Sequence, residues 1–440
     1  MRQCGSGRAG EMSHSGFETC AVRYCPAVAT ADDKGLRGGA SFPTGFVWGT
    51  ATSSHQIEGG NVNNDWWVWE HTEGSPCTES SGDACDSWER WPEDVELVAK
   101  MGLGAYRFSL EWSRIEPAEG EFSIAALDHY RRQAAACRER GILPVVTLHH
   151  YTVPRWFAAR GGFEWTEAAS RFGRFVERTT AHLGDLVGMV CTLNEPNVMA
   201  LLGYLMGRFP PARSGDFEAH GRVVEHLIAC HHAAVEALRA GPGDFPVGIS
   251  LSMTEFYAEP GGEAMCAAGR EFMEDIWLRE LTGDDFVGVQ GYTRARMGPE
   301  GPIEETDGLQ LTQMGYEYWP GVAEHTVRRA VEVTGLPIYV TESGIGTTDD
   351  RERVRYMTEA LYGLRRCLDD GIDLRGYFAW SLLDNFEWDD GFWPTFGLHA
   401  VDRTTFERRP KPSAAWFGQV ARMGHVPPLT KATAAGPGRG

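Results

Sequence analysis

The chain has 440 residues, with 61 Asp and Glu against 41 Lys and Arg, a net charge of −20, and 42% hydrophobic side chains. That much apolar content builds a large core and excludes a disordered chain. The acidic excess argues against nucleic acid or an anionic membrane as partner, and no run approaches the ~18 apolar residues of a membrane helix.

Residues 1–40 contain Gly, Ser, Arg and Ala without a continuous apolar stretch, so they read as a disordered extension rather than a signal peptide. A first strand is expected over 46–51, followed by a Gly-, Asn- and Ser-rich loop to about residue 87. A helix is expected over 88–101, where Trp91, Val95 and Val98 recur at helical spacing. Further strands are expected over 105–110, 143–148, 189–193, 247–251, 286–289, 338–341 and 374–380. Helices over 124–140, 167–183, 217–240, 263–281, 316–333 and 350–370 separate them. Such alternation implies parallel strands joined by helical crossovers. Eight units predict an α/β chain, a (β/α)8 TIM barrel forming one domain over 41–425 with enlarged loops, and a disordered tail over 426–440. A doubly wound sheet would want a Gly-rich phosphate turn after its first strand, and none is present.

Ten cysteines form no C-x-x-C pair, which argues against a zinc knuckle. They read as reduced, mostly buried thiols of a cytoplasmic protein, and Cys77 and Cys85 are not expected to pair.

In a barrel, the residues that follow each strand face one mouth. Here they are His55, Gln56 and Glu58; Arg107 within the second strand; His149, His150 and Tyr151; Asn194 and Glu195; Tyr292; Glu342; and Trp380, Asp384, Asn385, Glu387 and Trp388. Glu195 and Glu342 each end an apolar run, so two distant carboxyls are expected to meet. That pairing suits glycoside hydrolysis: an ionised carboxylate attacks the anomeric carbon while a protonated one feeds the leaving oxygen. An arginine and a tyrosine beside the attacking group would keep it charged. An asparagine amide suits a sugar hydroxyl, and tryptophan suits the apolar face of the ring. Of the adjacent histidines, His149 is expected to pack inward and His150 to meet ligand. Trp66, Trp67 and Trp69 read as loop packing, Asp384 and Asn385 as turn residues, and Arg155 and Arg160 as surface charges.

Several motifs occur in order along 41–420: FVWGTATSSHQIEG at 46–59, YRFS at 106–109, WSRI at 112–115, LHHYTVP at 148–154 and TLNEP at 192–196. They continue with YVTESG at 339–344, YFAWSLLDNFEW at 377–388, FGL at 396–398 and RPKPS at 409–413. In these the chain resembles glycoside hydrolase family 1, the β-glucosidase and β-galactosidase family. The resemblance implies a retaining enzyme that acts on small-molecule or oligosaccharide β-glycosides, most of all β-glucosides, without metal or organic cofactor. It makes Glu195 the acid/base and Glu342 the nucleophile, with Arg107 and Tyr292 bonded to the nucleophile. Asn194 falls beside the sugar 2-hydroxyl. Gln56, His150, Glu387 and Trp388 fall in the subsite for the terminal sugar, and Trp380 forms its floor.

The chain departs from the family pattern at Gln290-Gly291, where Asn-Tyr is common, at Tyr151, where Trp or Phe is common, and at Ser343, where Asn is usual. The segment between Leu278 and Asp285 is also short. Two other readings stand beside the main one. A 6-phospho-β-glycosidase would want a small polar residue at 387 and a nearby lysine. A catalytically silent sugar-binding relative would have lost a glutamate.

Overall fold

A computed structural model of the chain describes residues 39–428. Its centre is eight strands, each nearly continuous in buried apolar residues, as strands covered on both faces must be. In chain order they are β1 Val47–Ala51, β2 Ala105–Ser109, β3 Leu143–His149, β4 Met189–Asn194, β5 Val247–Ser252, β6 Phe286–Gln290, β7 Ile338–Ser343 and β8 Leu374–Trp380. Every strand pairs in parallel with its sequence neighbours, and β8 closes on β1 with Trp380 opposite Ala51. The expected (β/α)8 barrel is what forms.

The main helices lie between the strands in sequence, α1 Ser87–Met101, α2 Ile124–Glu139, α3 Ala168–Leu183, α4 Pro196–Tyr204, α5 Phe217–Ala240, α6 Glu263–Arg270, α7 Val322–Thr334 and α8 Asp350–Asp369, and α9 Pro412–Met423 follows the last strand. Side-chain oxygens of Ser123, Asp216 and Asp349 accept backbone N–H groups at the starts of α2, α5 and α8. Below the site, Ala105, Val145, Met189, Cys191, Phe286, Tyr339 and Phe378 fill the barrel interior, so the barrel is a packed core with one usable mouth. Gly49 belongs to this layer because a side chain there would strike the Phe378 ring.

Two expected helices differ. The helix expected over 263–281 continues past α6 only as a π turn, Glu271–Asp275, and one further turn, Ile276–Leu278. The wider turn accompanies buried Glu274, whose Oε1 accepts the Thr254 N–H at 2.8 Å. The helix expected over 316–333 begins only at Val322. Pro320 disfavours helical backbone at the residue before it, which leaves Tyr316 in a loop. Helices α4 and α9 are additional, as is a small sheet of Glu255–Ala258, Arg294–Gly298 and Gly301–Pro302.

Ala40–Ser41 pairs antiparallel with His425–Val426, which ties together the two ends of the expected domain. The disorder expected over 1–40 and 426–440 otherwise concerns residues outside those described. Among the described residues no helix is long and apolar enough to cross a membrane.

Candidate active site

The C-terminal ends of the strands open into a pocket of about 760 Å³, mouth included. Gln56, His150, Asn194, Glu195, Tyr292, Glu342, Trp380, Glu387 and Trp388 all line it. Arg107 lies beneath, fully buried on β2. The structure therefore brings together every residue given a role at the site, whereas His55 and Glu58, also expected at the mouth, turn elsewhere: His55 Nδ1 lies 3.0 Å from Asn64 Nδ2, and Glu58 pairs with Arg114 at 2.9 Å.

Glu342 sits near the end of β7, opposite Gln290 on β6. Arg107 Nη1 donates to its Oε1 at 2.6 Å, and the Tyr292 hydroxyl donates to its Oε2 at 2.7 Å. Burial pushes the Glu342 carboxyl up, while the Arg107 charge and both hydrogen bonds pull it down. Both carboxylate oxygens thus hold donors suited to the anion.

Glu195 ends the β4 segment in left-handed backbone, with φ 43°. It is the residue before Pro196 and the N-cap of α4, so the chain turns sharply there. Its N–H donates to Ser250 O at 2.8 Å, which fixes the turn against β5. Its Oε2 accepts the Tyr151 hydroxyl, and its Oε1 has no hydrogen-bond partner. Burial first, and then the Glu342 charge, push its carboxyl up to about 8. Two buried carboxyls in one pocket cannot both ionise cheaply. The donors on Glu342 decide which one keeps the charge, and the shared proton goes to Glu195.

Asn194 joins the two halves. Its Oδ1 accepts Arg107 Nη2 at 2.5 Å and Gln290 Nε2 at 2.9 Å. Its Nδ2 therefore donates to His150 Nε2, 3.0 Å away, which places the imidazole proton on Nδ1 beside the Ser109 hydroxyl at 2.9 Å. Burial holds His150 well below its ordinary pKa, so the ring stays neutral. It stacks between Trp380 and Trp388, with ring centres 6.1 Å from each. Trp388 is itself backed by Trp66 at 4.6 Å. Trp380 Nε1 donates to Glu387 Oε1 at 3.2 Å, and burial pushes the Glu387 carboxyl well above the ordinary range. The Gln56 amide donates to Phe386 O at 2.8 Å and to Asn385 Oδ1 at 3.1 Å.

His149 points away from the pocket and packs against Phe163 and Phe172 at 5.1 and 6.2 Å, where burial lowers its pKa to about 3. Asn385 and Asp384 hold the loop after β8, through Ser381 Oγ and the Gly397 N–H respectively. Arg160 pairs with Glu119 at the surface.

Tyr151, expected at the mouth, and Gln290, expected as a departure from the family pattern, both join the site, though neither had been given a role there. Gln290 carries an amide, the chemistry of the common Asn, and the structure shows where its extra methylene reaches. Gly291 is explained as well: a Cβ there would come 2.9 Å from Val322 Cγ2. The mouth adds Val198, Leu202, Arg208, Phe209, Met314 and Tyr316. Val198 and Leu202 follow Glu195 at i+3 and i+7, so α4 carries them on the same face as the carboxyl. No group of three or more His, Cys, Asp or Glu side chains fit to hold a metal ion occurs among the described residues.

The family model described as Glycosyl hydrolase family 1 matches residues 39–284 and 292–425. Beta-glucosidase A of Thermotoga maritima is 31% identical over 437 residues, covering 87% of this chain and 98% of that protein. Thermostable beta-glucosidase B of Thermobispora bispora is 33% identical, covering 88% and 91%. Among solved structures, the β-glycosidase BGL167 is 45% identical with a TM-score of 0.81, covering 87% of this chain and 97% of that one. A β-glycosidase from Pyrococcus horikoshii is 34% identical with a TM-score of 0.83, covering 90% and 100%.

Proposed function

Because the chain belongs to glycosyl hydrolase family 1, we propose that Glu342 is the nucleophile and Glu195 the acid/base of a retaining β-glycosidase whose preferred substrates are β-glucosides. The chain is an O-glycosyl hydrolase. The observation that carries the residue assignment is the unequal dress of two carboxyls in one pocket. Glu342 accepts from Arg107 and Tyr292, whereas Glu195 keeps one oxygen unpartnered and its carboxyl pushed up to about 8.

The steps follow from that inequality. A Glu342 oxygen attacks the anomeric carbon as the bond to the leaving oxygen breaks, and Glu195 gives that oxygen its proton. Glu342 is then an ester, its charge is gone, and the repulsion that raised the Glu195 pKa goes with it. Glu195, now ionised, takes a proton from water as the water oxygen bonds the anomeric carbon. Glu342 leaves as carboxylate and the starting configuration is restored. Asn194 and His150 supply hydrogen bonds to the sugar, Gln56, Glu387 and Trp388 grip its outer hydroxyls, and Trp380 lies under the ring.

A glucoside fits better than its 6-phosphate. No lysine is among the described lining residues, and the one arginine there, Arg208, is tied to Asp389 at 2.7 Å. The thiols of Cys85, Cys137, Cys191, Cys230, Cys266 and Cys367 are buried and unpaired, which supports a cytoplasmic protein. The described residues are read as one catalytic unit.

The test is a panel of 4-nitrophenyl β-glycosides with the product anomer followed by NMR. Turnover of the β-glucoside with β-glucose released first is expected. Activity confined to the 6-phosphate, α-glucose as first product, or sugar binding without turnover would each contradict the reading.

A further inference from the structure

Tyr151 stands out because the mechanism above does not use it, although it touches the acid/base directly. It follows His150 after β3, in left-handed backbone with φ 68°. The ring is buried and fixed on three sides, by His150 at 5.3 Å, Phe209 at 5.3 Å and Trp388 at 4.9 Å, each edge to face. Its hydroxyl ends on Glu195 Oε2, while Oε1 has no partner. The Trp or Phe common in the family at this position carries no hydroxyl to make such a bond.

We propose that Tyr151 is a positioning residue that occupies one oxygen of the acid/base carboxyl, so that the transferable proton resides on the other. A carboxylic acid with two equivalent oxygens can present its proton in two places, and only one faces a given leaving group. A phenol O–H donates to the oxygen that carries no hydrogen. Held on Oε2, it leaves Oε1 as the protonated oxygen and fixes the carboxyl plane. The same bond favours the ionised state needed when Glu195 later acts as base.

The other charged or titratable groups around Glu195 are Glu342 on β7, Arg107 on β2, Tyr292 after β6 and Tyr316 on the loop before α7. His150, Arg208, Glu387, Asp389 and Asp390 stand on the other walls of the same pocket. Ser252 at the end of β5 also weighs toward the anion. Within this set Tyr151 opposes the two raising influences, burial and the Glu342 charge.

The inference rests on Glu195 being the acid/base, so two variants are measured together. Tyr151→Phe keeps the ring and its packing, and thermal unfolding verifies that the fold is intact. Its kcat/KM is followed against pH with phenyl and with 2,4-dinitrophenyl β-glucoside. The basic limb is expected to move up by about 1 pH unit, because a donor to the anion is gone. Phenyl glucoside, whose departure needs the proton, is expected to lose about tenfold, and the activated substrate about twofold or less. An unmoved basic limb, or equal losses on both substrates, overturns the inference. Glu195→Ala separates the two levels. If it loses activity mainly on phenyl glucoside while Tyr151→Phe shows no such split, only the role of Tyr151 falls. If Glu195→Ala loses both substrates equally, the acid/base assignment falls and this inference with it.

Discussion

Glu342 and Glu195 are the same residue type in the same pocket, and the different roles proposed for them rest on their neighbours alone. Removing the charge without changing the shape, in Glu342→Gln, is expected to abolish turnover of every glycoside. Loss of less than about a hundredfold in kcat would contradict its proposed role as nucleophile. Glu195 differs, because what it does depends on holding a proton. Its carboxyl, pushed up to about 8, is protonated in the free enzyme at neutral pH. The kcat/KM of a substrate that needs the proton should therefore stay level toward neutrality and fall as pH rises through about 8. A basic limb well below 7 would contradict the account. Gln290 ties Asn194 from the β6 side at 2.9 Å. Gln290→Ala should leave the Asn194 amide less fixed and raise KM for glucosides more than it lowers kcat.

Elements decide which side chains can meet. The strands were legible because each is a short run of β-branched or apolar residues stopped by Gly, Pro or a polar turn, and parallel pairing needs little beyond that alternation. Six of the strand ends carry their polar residue in plain sight, and Arg107 lies within a seventh strand, which made the candidate site readable as well. The start of α7 was not legible. Tyr316, Tyr318 and Trp319 mimic a helical apolar face, and only Pro320 signals the later start. Nor were the contacts of Tyr151 and Gln290 legible. A residue type at a strand end does not say which neighbour it reaches, since that depends on backbone placement such as the left-handed turns at Tyr151 and Glu195. Gly291 sits where the end of β6 meets the start of α7. Gly291→Ala would push β6 from α7 through the 2.9 Å approach to Val322, and should cost about 1–3 kcal/mol in a denaturation experiment. An unchanged midpoint would show that the helix yields freely.

Across the whole molecule, burial of acid groups should show in stability. Glu58, Asp65 and Glu274 are pushed up to about 7 and Glu195 to about 8, in each case chiefly by burial. Above about pH 6.5 the buried histidines are neutral in both states, while the folded chain still holds protons on these four groups that the unfolded chain has released. Stability then falls as pH rises from about 6.5 through 8, whereas below 6.5 the histidines His129, His149, His150 and His399, held neutral by burial, pull the other way. The melting temperature should be higher near pH 6.5 than near pH 8.5, and the reverse order would contradict the assignment of these four groups. The barrel itself exists, for function, to bring the ends of β4 and β7 to one pocket. The most direct test uses a 2-deoxy-2-fluoro-β-glucoside with an activated leaving group, which slows release of any covalent glycosyl-enzyme, followed by mass spectrometry of the digested protein. One added fluoroglucosyl group is expected, carried by the peptide that contains Glu342. Label on any other residue, or turnover of the probe without any labelled protein, would contradict it.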